Sequence, residues 1–234
     1  MAQSTEENAM TLPEQLAEFR RNFEAGGPPF NAPAWIHEPM HRATAELVAS
    51  RIADHALKAG DLAPQFSLPD VDGKQISMTE LLASGPLVLS FYRGVWCPYC
   101  NLDLQALQQT LPQIENLGAQ LVAVSPQTAA NTRRSVRDNK VSFPILSDLG
   151  NEVAAQFGLR FTLPDYLQDL YKNTFKNDLA VNNGEPSWTL PMPARYVIGQ
   201  DGVIAYAEVN PDYTQRPDPS ELLPVLQQLK LSAA

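Results

Sequence analysis

The chain has only two cysteines in 234 residues, no run of basic residues, and no apolar run long enough to cross a bilayer. Each shortage excludes something. Two cysteines cannot build the disulfide framework that staples small secreted domains. Asp and Glu outnumber Lys and Arg by 26 to 17, which argues against nucleic acid as a partner, because binders of its backbone gather cations on one face. No stretch reaches the roughly 18 consecutive apolar residues of a membrane span, so no membrane partner is expected. Met1 to Asn8 is polar and acidic, without the basic and apolar regions of a secretory signal. The expected location is cytoplasmic. Zinc could use the cysteine pair as half a site, but there is no further cysteine and the three histidines, His37, His41 and His55, all lie within residues 1–58, so zinc is disfavoured against a redox pair. Neither a metal nor a cofactor is expected.

The hydrophobic share of 44% is enough for an ordinary core. Apolar residues at helical spacing, Leu16, Phe19 and Phe23, predict a helix over Leu12 to Phe23, ended by Gly26-Gly27-Pro28-Pro29. A second helix is expected from about Met40 to Leu57. His37-Glu38-Pro39-Met40-His41 matches the zinc-protease pattern in letters, but Pro39 predicts a loop leading into a helix start instead. Residues 1–58 thus read as a helical N-terminal extension, suited to pack on its own domain or on a partner subunit.

From Gly60 the texture changes. Leu87 to Tyr92 and Leu121 to Ser125 are short apolar runs of the kind found in buried strands. Helices are expected from Pro98 to Leu111, over 129–139, near 151–157, and over 219–230. Ala194 to Ile198 and Val203 to Glu208 form a hairpin around Asp201-Gly202. Strands alternating with helices predict an α/β domain over 59–234, a mixed sheet with helices on both faces. Residues 163–187 read as an irregular insertion. Trp35 and Trp188 read as packing residues.

Cys97 and Cys100 follow a strand and open a helix. Free N–H groups and partial positive charge in a first helical turn stabilise a thiolate. Pro98 suits that turn. The i, i+3 spacing puts both sulfurs on one face, within reach of a disulfide. With no third cysteine, the one intrachain redox disulfide available is Cys97–Cys100, and reducing equivalents must come from outside. Asp103 and Glu208 are considered as proton acceptors for the second thiol and read instead as solvated surface groups.

Several segments together resemble the peroxiredoxin-like branch of the alkyl hydroperoxide reductase/thiol-specific antioxidant family. They are Phe91 to Asn101 (FYRGVWCPYCN), Gly60 to Phe66, Leu190 to Ala194 and Asp201-Gly202. The resemblance implies a thioredoxin-like fold with a central mixed β-sheet flanked by helices. It implies a thiol-dependent peroxidase that reduces a hydroperoxide and is recycled by thioredoxin, glutaredoxin or a small thiol. Relatives of this kind are often homodimers. The family's P-x-x-x-T-x-x-C pattern fits neither register: counting from Cys100 meets Arg93 and Cys97, and counting from Cys97 meets Ser90 and Gly94. A thioredoxin-like thiol-disulfide oxidoreductase and a non-catalytic redox sensor are therefore the alternatives. In the thioredoxin register Cys97 is the exposed nucleophile and Cys100 the buried resolver, an order favoured here over its reverse. Pro193 falls where thioredoxins keep a cis-proline facing the disulfide, and Arg195 lies two residues on, on the same side of its strand. Arg93, Trp96, Pro193 and Arg195 are the expected substrate-binding residues. Asp212 to Arg216 resembles a recurring segment of the family, with no role assigned.

Overall fold

A computed structural model of the chain describes residues 10–232. The reading of Met1 to Asn8 lies outside these residues. In chain order the helices are α1 (Leu12–Glu24), α2 (His37–Ala49), α3 (Met78–Ser84), α4 (Pro98–Asn116), α5 (Ala129–Asn139), α6 (Glu152–Gln156), α7 (Asp165–Asp169), α8 (Leu179–Asn183) and α9 (Leu222–Ser232). The strands are β1 (Ser67–Pro69), β2 (Gln75–Ser77), β3 (Leu87–Phe91), β4 (Gln120–Ser125), β5 (Ile145–Ser147), β6 (Arg160–Thr162), β7 (Thr189–Pro191), β8 (Ala194–Ile198) and β9 (Ile204–Val209).

The central sheet has five strands in the order β5-β4-β3-β8-β9. β3 pairs parallel with β4 and antiparallel with β8, giving the mixed sheet expected. Because side chains alternate along a strand, β3 feeds two cores. Val88 joins α1, α4 and α9 on one face, whereas Leu87, Leu89 and Phe91 face α3 and α6 on the other. Burial of β3 on both faces explains why every residue in it but Ser90 is apolar.

Leu12 and Leu16 are about as buried as the strands, at 1% and 2% exposure, and sit in the core that holds both cysteines. Helix α1 therefore packs on α4, in the chain's own core. The α2 expectation needs correcting. The helix starts at His37 and runs through Pro39, which is its third residue. A first-turn N–H has no acceptor within the helix, so proline costs little there. The His37 and His41 rings lie side by side, 6.4 Å apart, and His41 Nε2 is taken by Glu24 at 2.9 Å. Within the span read as irregular, α7 follows Pro164, a π-turn covers Leu170–Thr174, and Asp178 caps α8 by accepting from Ala180 N–H. These short helices carry too few periodic residues to stand out in the sequence. Trp188 packs against neighbouring apolar residues, but Trp35 is exposed, contrary to its reading as a packing residue.

Candidate active site

β3 ends at Phe91 and α4 begins at Pro98, so the loop between them delivers Cys97 to the helix N-cap. That loop is held by a buried amide. Gln127 Oε1 accepts from Val95 N–H at 3.0 Å, while its Nε2 donates to Tyr92 Oη at 2.7 Å and Ser135 Oγ at 2.8 Å. Asn101 Nδ2 adds a bond to the Val95 carbonyl at 2.8 Å. Gly94 has φ +143°, and a Cβ there would stand 2.6 Å from Trp96 Nε1, so the loop closes only around glycine.

Both thiols are free, and Cys100 Sγ donates to Cys97 Sγ at 2.9 Å. Cys97 is buried at 1% exposure, which corrects its expectation as the exposed member; Cys100 is at 0%. Burial alone would raise the Cys97 thiol. The hydrogen bond from Cys100 and the charges of Arg93 and Arg216 outweigh it and bring it down to about 6. Burial, and then donation of its proton to Cys97, push Cys100 the other way. The pair is thus divided into a thiolate and a thiol.

Arg93 is 2% exposed. Its guanidinium carbon sits 4.0 Å from the Tyr213 ring centre and 4.8 Å from that of Trp96, and Nη2 donates to Tyr171 Oη at 2.8 Å. Arg93 Nε and Trp96 Nε1 are buried without a hydrogen-bond partner. Unpaired buried donors are costly, and here they belong to residues that line one cavity with Cys97.

Behind the cysteines lies a second layer of charge. Arg195 pairs with Asp103 and donates to the Pro217 carbonyl at 2.9 Å; Arg216 Nε approaches Asp103 Oδ2 at 3.7 Å. Asp103, Arg195 and Arg216 are all buried, and burial first of all pushes Glu208 up to about 7. The solvated readings of Asp103 and Glu208 are therefore corrected: helix α4 turns Asp103 inward, one turn beyond Cys100. Arg195 is taken up by this pair and does not line the space above Cys97. Pro193 is likewise displaced. The cis peptide bond among the described residues is Pro28–Pro29, so Met192–Pro193 is trans, and Pro193 lines a separate cavity of about 210 Å³ on the far side of Arg93 and Tyr213.

Above Cys97 lies a cavity of about 420 Å³. Cys97, Arg93 and Trp96 line it, with Phe19 and Phe23 of α1 and Tyr171 and Tyr213 around them; Cys100 does not. Of the residues expected at the site, the structure brings together Cys97, Cys100, Arg93 and Trp96. It adds Tyr171, Tyr213, Arg216 and the α1 phenylalanines, which sequence reasoning missed. The segment 212–216 was the signal for two of them.

A profile of the AhpC/TSA family matches residues 59–207. Peroxiredoxin Bcp of Escherichia coli is 33% identical over 103 residues, 44% of this chain and 65% of its own length, so slightly less than two thirds of that relative is spanned. The chloroplastic peroxiredoxin Q of japonica rice is 27% identical over 180 residues, 77% of this chain and 71% of its own. Among solved structures, the peroxidoxin BcpB of Mycobacterium tuberculosis superposes with a TM-score of 0.58 at 22% identity, covering 74% of this chain and 97% of that one. At that identity the superposition shows the thioredoxin-like fold.

Proposed function

The chain belongs to the AhpC/TSA family, and on that premise we propose that it is a thiol peroxidase in which Cys97 attacks hydroperoxides and Cys100 resolves. The observation that carries the reading is the division of the pair. Cys97 is an acidified thiol at the floor of a cavity, and Cys100 is a protonated neighbour 2.9 Å behind it. In the first step the Cys97 thiolate attacks the distal peroxide oxygen. The O–O bond breaks, Cys97 becomes a sulfenic acid, and the alkoxide leaves and takes a proton from water. Arg93 and Trp96, which line the cavity with Cys97, stand in place of the threonine and arginine that the family pattern leads one to expect, and the Arg93 guanidinium supplies positive charge to the departing oxygen. In the second step Cys100 condenses with the sulfenic acid, water departs, and a Cys97–Cys100 disulfide forms. Thioredoxin, glutaredoxin or a small thiol then restores both thiols.

The same proposal takes residues 1–58 as an extension and 59–234 as the domain, with 163–187 as an insertion; the family match starting at residue 59 supports that boundary. It also places the protein in the cytoplasm, where free thiols persist. No helix of the described residues is long and apolar enough to cross a membrane. A disulfide oxidoreductase acting on proteins has less support. Both sulfurs are buried and Pro193 does not face them. Consumption of hydrogen peroxide with dithiothreitol as reductant tests the reading. Turnover that disappears in Cys97→Ser supports it, and insulin reduction without peroxide consumption overturns it.

A further inference from the structure

Glu208 has no part in the mechanism above, although it stands among the charges that set it. On β9 it is the cross-strand partner of Arg195 on β8, and such partners share one face of a sheet. Arg195 is nevertheless engaged elsewhere, by Asp103 and the Pro217 carbonyl. Glu208 as a whole is half-buried, but its Oε2 is closed to water and has no hydrogen-bond partner. Arg216 connects this carboxyl to the cysteines. Its Nη1 donates to the carbonyls of Tyr213 and Gln215, whereas Nε and Nη2 make no hydrogen bond. Its charge acts on Cys97 and Cys100 and also on Glu208. The charged and titratable groups around Glu208 are Arg195 and Tyr196 of β8, Asp103 of α4, Arg216, Glu221 just before α9, and Tyr206 of its own strand.

Charge balance gives this carboxyl a use. In the reduced protein three buried guanidiniums, those of Arg93, Arg195 and Arg216, are set against two buried anions, Asp103 and the Cys97 thiolate. Formation of the disulfide removes the thiolate and leaves the three cations against Asp103. A buried excess of one sign is costly, and Glu208 is the neutral acid of the cluster that can supply a further negative charge. We propose that Glu208 is the redox-linked proton acceptor of the cysteine pair: its carboxyl is protonated while Cys97 is a thiolate and ionised once Cys97 and Cys100 are joined. Burial favours the protonated form in the reduced state, and the half-exposed residue leaves the proton a way to water. Electrons and protons balance. A dithiol reductant gives two electrons, which break the S–S bond, and two protons, one to Cys100 and one to the Glu208 carboxylate, and Cys97 is left as the thiolate. This role rests on the Cys97–Cys100 disulfide of the proposed function and does not require a peroxide as the oxidant.

Equilibration of the disulfide with the dithiothreitol couple, at pH 5 and at pH 8, in wild type and in Glu208→Gln, tests the role. The protons of dithiothreitol are common to both proteins, so the ratio of their equilibrium constants reads Glu208 alone. At pH 8 the wild-type carboxylate opposes the Cys97 thiolate and the amide does not. The disulfide of Glu208→Gln should therefore be about tenfold easier to reduce there, the effect of roughly one pH unit between the carboxyl's two redox states. At pH 5 the carboxyl is protonated in both states, and the two constants should agree. A purely structural effect of the substitution would displace both pH values alike. Equal constants at pH 8, or the same ratio at both pH values, overturns the role. Infrared difference spectra of reduced against oxidised protein at pH 6.5 give a second reading. A carboxylic-acid carbonyl band should belong to the reduced state and vanish in Glu208→Gln; a wild-type spectrum without it overturns the role as well. If no Cys97–Cys100 disulfide forms at all, the resolving step of the proposed function falls, and this role with it.

Discussion

The guanidinium of Arg93 lies 4.0 Å from the centre of the Tyr213 ring, joining the loop that carries Cys97 to a segment more than a hundred residues later in the chain. The ring and Trp96 hold the cation where water cannot screen it, and its charge helps keep Cys97 ionised.

Replacing Arg93 should therefore change the pH dependence. In the wild type the rate with peroxide should follow the thiolate, falling about tenfold per unit below about pH 6 and flattening above pH 7. Arg93→Met should move the midpoint up by roughly one unit. Ultraviolet thiolate absorbance against pH reads both.

Arg195 should behave differently. It is 1% exposed and its partner Asp103 2%, so Arg195→Met strands a buried carboxylate with only Arg216 nearby. A loss of about 3–5 kcal/mol in denaturant unfolding is expected, with the Cys97 midpoint unmoved. A shifted midpoint with intact stability would instead give Arg195 a role at the substrate.

Glu208 offers a test of sign. Its carboxyl is raised to about 7, chiefly by burial, so the folded protein holds a proton that the unfolded chain releases near pH 4.5. Stability from this group is present below pH 4.5 and is lost as pH rises through 7. Glu208→Gln should stabilise the protein at pH 8, on the order of 1–3 kcal/mol, and change little at pH 4.5. Thermal unfolding at the two pH values measures it.

The extension should be inseparable from the core. Leu16 is 2% exposed and shares a cluster with both cysteines, so Leu16→Ala should cost about 2–5 kcal/mol. A cost under 1 kcal/mol would show α1 to be only loosely attached.

The central strands and α4 were legible because their apolar runs and Pro98 are local signals, and the cysteine pair was legible from its spacing. Arg216 and Tyr213 were not, since their relation to Cys97 is made by folding across the whole chain. Asp103 misled for a related reason: a charge on a helix reads as solvated unless its buried partner, here Arg195 on β8, is known. Pro39 misled because the start of α2 was placed three residues late, which turned a tolerated first-turn proline into a helix breaker.

The most direct test of the division between the two thiols is one equivalent of hydrogen peroxide added to Cys100→Ser and to Cys97→Ser, with a sulfenic-acid trap and mass spectrometry. The expected result is one adduct on Cys97 in Cys100→Ser and none in Cys97→Ser. An adduct on Cys100 in Cys97→Ser, with none on Cys97 in the other variant, would contradict the assignment of Cys97 as the attacking thiolate.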